Sequence, residues 1–124
     1  MKKIIFIFVF LLEINNLYAQ DCMWLKAYEL AIKFDGSWSD WEDVNIEVKV
    51  DLDRDRITIY SAEVQIYRIL EQIEAPHDSS GEQVAFKVID QDGDIGRFRF
   101  RVQNNGTKQL YVDFNDVSWV YNVK

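Results

Sequence analysis

Apolar and polar residues alternate along most of this chain, and the alternation restricts the fold more than any other feature of the sequence. In its clearest run, residues 44–52, an aliphatic side chain occupies every second position and polar side chains fill the positions between. Alternate side chains of a β-strand point to opposite faces, whereas a helix would scatter these aliphatic residues around its surface. The run therefore predicts a strand with one buried face.

Similar runs follow along the chain. An early one holds Tyr28, Leu30, Ile32 and Phe34, and later ones cover residues 57–62, 83–90, 95–102, 109–115 and 117–123. Residues 62–75 are ambiguous, because their apolar spacing also suits a helix. Their β-branched and aromatic residues favour a strand, and a helix there would make the fold α+β.

Turn residues set the register of two predicted hairpins. Gly106 in the left-handed region favours a three-residue loop at 104–106. A two-residue turn would place Arg99 opposite Val112 and bring charge onto the buried face. The same reasoning predicts a three-residue loop at 91–93. The predicted pairs are Val102 with Lys108, Phe100 with Leu110, Phe98 with Val112 and Gly96 with Phe114, then Val88 with Gly96, Phe86 with Phe98 and Val84 with Phe100.

These features predict an all-β fold. We expect residues 20–124 to form a single-domain antiparallel meander of about seven or eight strands, as a small β-barrel or a strongly curved sheet. Closure would remove the exposed strand edges that invite aggregation. The interior of such a barrel holds either packed side chains or one small ligand. We expect Trp24, Trp119 and Tyr121 in the core.

Residues 1–19 are predicted to be a secretory signal peptide. Lys2 and Lys3 precede an apolar run about half as long as the roughly 20 residues that a membrane-spanning helix needs, and Ala19 offers a cleavage site. We therefore expect an exported protein, periplasmic or extracellular, with no transmembrane anchor after cleavage. Cleavage removes two lysines and one glutamate and changes the formal charge from −7 to −8. Because the chain is acidic, we do not expect it to bind nucleic acid. Because it has one cysteine, Cys22, it cannot form an internal disulfide.

Two tryptophans are the first candidate binding residues. Trp38 and Trp41 lie close together between predicted strands. They either fold over one end of the barrel and close its core, or they form a stacking platform for a sugar or a lip for an apolar ligand, since flat rings bury a large area.

Three arginines are the second candidate. Arg97, Arg99 and Arg101 project from the face opposite the buried phenylalanines. In the preferred register Arg97 lies opposite Asp113 and Arg99 opposite Tyr111, so ion-pair and cation–π contacts would engage them. The alternative is an anion site for an acidic glycan or a partner carboxylate.

No catalytic residue, metal ligand or cofactor is predicted. The acidic runs at residues 51–55 and 90–94 lack the glycine and the glutamate that an EF-hand loop needs at its sixth and twelfth positions. They are typical of hairpin turns. The one histidine, His77, stands in a polar loop without identifiable partners.

Two resemblances extend this interpretation. The Gly36-Ser37-Trp38 sequence beside a string of strands resembles the Gly-x-Trp signature of lipocalins and their calycin relatives, although a predicted strand precedes it here. Residues 57–124 resemble small exported bacterial proteins of unknown function. That second resemblance rests on Ile59-Tyr60-Ser61, Gln65-Ile66-Tyr67-Arg68-Ile69, Gln109-Leu110-Tyr111-Val112-Asp113 and Trp119-Val120-Tyr121-Asn122. Both imply an all-β protein, and neither implies an activity.

The sequence favours a non-enzymatic binding module for a small apolar molecule or a glycan at one barrel end. Two alternatives stay open. One is a structural or interaction protein that binds an envelope or host protein through its acidic surface. The other is a hydrolase that uses paired carboxylates.

Overall fold

A computed structural model describes residues 22–75 and 79–124. The predicted signal peptide and His77 lie outside these ranges. No helix within them is long and apolar enough to cross a membrane.

Nine strands make up the fold of the described residues. They are β1 (Cys22–Phe34), β2 (Ser37–Trp38), β3 (Glu42–Asp51), β4 (Arg56–Tyr60), β5 (Val64–Ile73), β6 (Gly81–Ile89), β7 (Ile95–Gln103), β8 (Lys108–Asp113) and β9 (Val117–Val123). Strand β1 pairs antiparallel with β3, each of β3 to β8 pairs antiparallel with the strand that follows it, and β9 pairs antiparallel with β1. Eight strands therefore form a closed barrel, and the short β2 is an additional strand beside β1. The predicted all-β fold is confirmed.

A register shift in β1 accompanies closure of the barrel. Before the shift Ala27 pairs with Val123, and after it Leu30 pairs with Tyr121. From the first of these pairs to the second, the chain moves three residues along β1 but only two along β9. The additional residue in β1 forms a β-bulge. Because side chains alternate, the bulge changes which residues of β1 face inward. Odd-numbered residues up to Ala27 belong to the core, whereas Leu30 and Ile32 face the interior beyond it.

Six of the seven predicted pairs occur in the strand pairing, and the seventh, Gly96 with Phe114, lies one residue beyond the last β7–β8 pair, Arg97 with Asp113. Phe100 lies opposite both Leu110 and Val84. Phe98 likewise lies between Val112 and Phe86. Gly93 and Gly106 have φ values of 88° and 90°, as the two loops require. The ambiguous segment 62–75 forms β5, so its interpretation as a strand is confirmed.

Side chains fill the middle of the barrel. Phe98 and Phe100 are completely buried, and Tyr67 packs its ring 4.7 Å from that of Phe98. Tyr121 is buried and Trp119 packs partly buried against this core, as expected. The expectation for Trp24 is wrong. Trp24 is 42 % exposed, and its ring stacks on that of Tyr60 outside the barrel.

A glycine in β7 makes room for an aromatic ring. A Cβ at Gly96 would come within 2.6 Å of the ring carbons of Phe114. Phe114 in turn stacks on Trp119, with centroids 6.1 Å apart and planes inclined by 11°. The missing side chain of Gly96 therefore helps to position aromatic residues at one end of the interior.

We predict that Gly96→Ala lowers the free energy of unfolding by about 1–3 kcal/mol, because the added methyl group overpacks this site. In a Phe114→Leu background the same change should cost much less, since leucine lacks the colliding ring atoms. Urea unfolding of the four proteins in this double-mutant cycle measures the coupling. Equal costs in the two backgrounds would contradict the proposed role of Gly96.

Candidate functional site

Four connections meet at one end of the barrel, which we call the open end. They are residues 35–41, which include the short β2, and residues 61–63, 90–94 and 114–116. A pocket of about 390 Å³ lies at this end, the end pocket. Its lining residues are Leu30, Ile32, Ser61, Glu63, Gln65, Tyr67, Trp119 and Tyr121.

Strands β1 and β9 supply the apolar wall of the end pocket. Leu30 and Ile32 reach it because the bulge turns the even-numbered residues of β1 inward. Their partners across the strands are Tyr121 and Trp119. Ile32 is 40 % exposed, which places a large aliphatic side chain at the mouth of the pocket. The closure of the barrel and the wall of the pocket therefore depend on the same strand pair.

Aromatic rings support the pocket from within. Tyr67 lies 6.1 Å from Phe114, and Phe114 lies 6.1 Å from Trp119. Tyr67 also contacts Phe98 in the filled middle of the barrel. This ring series connects the pocket to the core, so the pocket lies directly above packed side chains.

A short polar chain crosses the β4–β5 side of the pocket. The Tyr67 hydroxyl donates to Oε1 of Gln65 at 2.5 Å, and Nε2 of Gln65 donates to Oγ of Ser61 at 2.9 Å. The Ser61 hydroxyl then donates to the backbone carbonyl of Glu63 at 2.6 Å. These groups satisfy one another, so they keep little hydrogen-bonding capacity for a ligand.

Both phenols of the pocket stay protonated. Burial raises the pKa of Tyr67, and electrostatic interactions with the Tyr121 phenol and with Asp90 add to the effect. Burial also raises the pKa of Tyr121, although Gln65 and Trp119 partly offset this. Burial disfavours the phenolate. Neither tyrosine therefore brings negative charge into the pocket.

The indole N–H of Trp119 is the one poorly satisfied donor of the pocket lining. It is buried and meets no acceptor at hydrogen-bond geometry, although it lies near enough to Tyr121 to favour that residue's phenolate. A buried donor without a good partner is costly. A ligand oxygen could satisfy it.

A second hollow, at the opposite end, has a volume of about 250 Å³. Leu52, Leu70 and Phe86 contribute to its lining. Its volume falls below the roughly 300 Å³ at which ordinary ligand pockets begin. The end pocket is the better candidate site.

The two tryptophans that the sequence offers as candidate binding residues do not line the end pocket. Trp38 is 44 % exposed on the outside of the barrel, with its ring edge-on to Tyr111 at 6.3 Å. Trp41 is 46 % exposed just before β3. Neither closes the core, and neither lines the pocket. Gly36, at φ 83°, belongs to the tight turn between β1 and β2, which accounts for the glycine of the Gly-x-Trp sequence.

The arginines lie on the outer face and are engaged there. Nε of Arg99 binds Asp113 at 2.7 Å, and that guanidinium lies 4.3 Å from the Tyr111 ring. Arg97 binds the same carboxylate at 3.2 Å. Arg101 donates to the Ser80 hydroxyl. Tyr111 thus connects Trp38 to Arg99, which brings two of the sequence candidates together on one outer surface.

The acidic runs form turns. Oδ1 of Asp90 accepts from the backbone N–H groups of Asp92 and Asp94, both at 2.9 Å. Asp51 accepts from the backbone and the side chain of Arg54. Within the described residues no group of three or more His, Cys, Asp or Glu side chains could hold a metal ion.

The alternation of apolar and polar residues already predicts that some of the residues lining the end pocket share a strand face. It grouped Leu30 with Ile32, and in β5 it places Gln65 on the same face as Tyr67. A polar residue on an inward face is a signal that sequence reasoning passed over. The bulge left no comparable signal, so the sequence could not predict that Leu30 and Ala27 share the interior.

Asp113 anchors the outer surface and provides a pH test. Burial alone would raise its pKa, but hydrogen bonds and charge from Arg99, together with Ser118 and Arg97, hold the pKa below its ordinary value. A lowered folded-state pKa gives stability that is fully present above the ordinary value and lost as the pH falls through the folded value.

We predict that Asp113→Asn costs about 1–3 kcal/mol in unfolding free energy at neutral pH, because two arginines lose their carboxylate. The difference from the unmodified protein should begin to shrink as the pH falls below about 4, where the carboxylate of the unfolded chain protonates, and should vanish once the pH lies below the lowered folded-state pKa. Urea unfolding across this pH range measures it. Asp116→Asn, at an exposed acid in the next turn, is the control. A pH-independent cost at Asp113 would show that the ion pairs do not matter.

Comparison with known proteins gives no independent indication of what the site binds. The chain matches no family model, no curated protein and no solved structure. The resemblances to lipocalins and to small exported bacterial proteins therefore stay predictions from the sequence.

Proposed function

We propose that this protein is a non-enzymatic binding module that takes a small, mainly apolar molecule into the open end of its barrel. The observation that carries the proposal is the end pocket itself. Its volume of about 390 Å³ suits a small molecule, since ligand pockets typically measure roughly 300–1,000 Å³.

The character of the lining favours an apolar ligand over a glycan. Leu30, Ile32 and Trp119 offer apolar surface, and Ile32 leaves part of it in contact with water. The polar groups of Ser61, Gln65 and Tyr67 already bond to one another, whereas a sugar needs many free partners. An apolar ligand would gain by leaving water, at about 25 cal/mol per Å² buried.

The same lining favours binding over catalysis. Glu63 is the only carboxylate among the lining residues, and the two tyrosines stay protonated. A paired-carboxylate hydrolase needs two acids that flank the substrate within the site, whereas Glu42, another acid on the inner face, is not among the lining residues. The hydrolase and the protein-binding alternatives stay predictions from the sequence, as do export and the roles of Trp38, Trp41, Arg97, Arg99 and Arg101 in binding.

We predict that the neutral probe N-phenyl-1-naphthylamine binds with increased, blue-shifted emission and accepts energy from Trp119. The measurement uses a variant in which the three exposed tryptophans are replaced by phenylalanine, so that Trp119 is the only donor. The replacements are Trp24→Phe, Trp38→Phe and Trp41→Phe. Circular dichroism checks that the variant folds as the unmodified protein does.

Ile32→Glu should weaken probe binding at least about tenfold, because it puts a charge on the apolar wall. Val64→Glu is the matched control, since Val64 is also an exposed aliphatic residue (47 %) but lies outside the pocket. Equal effects of the two substitutions, or no binding at all, would refute the proposed site. Loss of binding through Trp38→Phe or Trp41→Phe alone would instead favour the platform predicted from the sequence.

A further inference from the structure

The end pocket opens among carboxylates. The four connections of the open end, together with the first two residues of β3, carry nine acidic residues and neither lysine nor arginine. The acids are Asp35, Asp40, Glu42, Asp43, Glu63, Asp90, Asp92, Asp94 and Asp116. The antiparallel meander collects them, because every second connection returns to the same end.

Two of these acids occupy positions on the inner side of the barrel mouth. Glu63 lines the end pocket directly. Glu42 pairs across the strands with Leu30, another lining residue, and directly paired residues share a face of the sheet. Both glutamates are exposed to solvent, so neither is withdrawn into the core.

Two basic side chains near this end of the barrel, those of Lys33 and Arg97, are engaged on its outer side. The ammonium group of Lys33 lies 5.9 Å from the centre of the Trp38 ring, which is on the outer side of the barrel. Arg97 is also on the outer side, bound to Asp113. At the opposite end, by contrast, Arg54 stands between Asp53 and Asp55 in the β3–β4 turn and binds Asp51.

We infer that the ligand of the end pocket is a cationic apolar molecule, such as an amine with a hydrocarbon body. Like charges around a cleft with low-dielectric walls focus their potential into it and raise the local concentration of the opposite charge. The hydrocarbon body fits the wall formed by β1 and β9, and the cationic group stays at the mouth near Glu42 and Glu63. This inference rests on the proposed function, because it concerns the same pocket.

Three probes with one hydrocarbon chain test the inference: octyltrimethylammonium, 1-octanol and octyl sulfate. Calorimetry should show the cation binding about tenfold more tightly than octanol at about 0.01 M salt, where charges act over about 30 Å. The advantage should fall towards one at about 1 M salt, where the screening length is about 3 Å. Octyl sulfate should bind most weakly.

Variants locate the charge effect. The double change Glu42→Gln and Glu63→Gln should weaken binding of the cation several-fold and leave the affinity for octanol unchanged. Glu82→Gln, at an exposed acid near the opposite end, should alter neither affinity. These glutamates are exposed, and the octanol affinity reports whether the pocket has kept its shape.

The outcomes separate the two proposals. If octanol and the cation bind equally at low salt, or if octyl sulfate binds best, the inferred ligand charge is wrong while the pocket remains a binding site. If none of the three probes binds and N-phenyl-1-naphthylamine does not bind either, the proposed function fails and this inference with it. If the cation binds more tightly but the double variant changes nothing, the assignment of Glu42 and Glu63 is wrong.

Discussion

Pairing between β1 and β9 is the interaction on which the rest of the structure depends. It turns a meander with two free edges into a closed barrel, and closure removes the unpaired backbone groups of those edges. The bulge between Ala27 and Glu29 belongs to the same pairing. Because the bulge exchanges the inward and outward faces of β1, the residues before it point into the core, whereas Leu30 and Ile32 after it point into the end pocket.

The interior divides into a filled middle and an open end. Phenylalanines from β7 and the Tyr67 ring fill the middle, where Phe98 and Phe100 have no exposed surface. Towards the open end the core stops at the Phe114–Trp119 stack, and above it the side chains of β1 and β9 leave space. An eight-stranded barrel is just wide enough for either arrangement. Here the sizes of the inward-facing side chains determine which part of the interior is filled and which part is left as a pocket.

Much of the fold could be predicted because alternation and turn chemistry are local. The pairs of Phe98 and Phe100 followed from one rule, that a slip of one residue would bring Arg99 onto the buried face. The site was harder to predict. Trp38 and Trp41 stood out in the sequence as large rings between strands, but the tight turn at Gly36 carries Trp38 to the outer surface beside Tyr111. Whether a ring in a connection packs inward or outward depends on contacts between distant strands, which periodicity does not report.

Cross-strand NOEs between β1 and β9 test the central claim most directly. The shifted register predicts backbone NOEs that link Leu30 with Tyr121 and Ile32 with Trp119, together with slow amide exchange in both strands. NOEs that continue the Ala27–Val123 pairing without a shift would place Glu29 opposite Tyr121. That result would contradict the bulge and the end pocket. Rapid exchange throughout β9 with no NOEs to β1 would contradict the closed barrel as well.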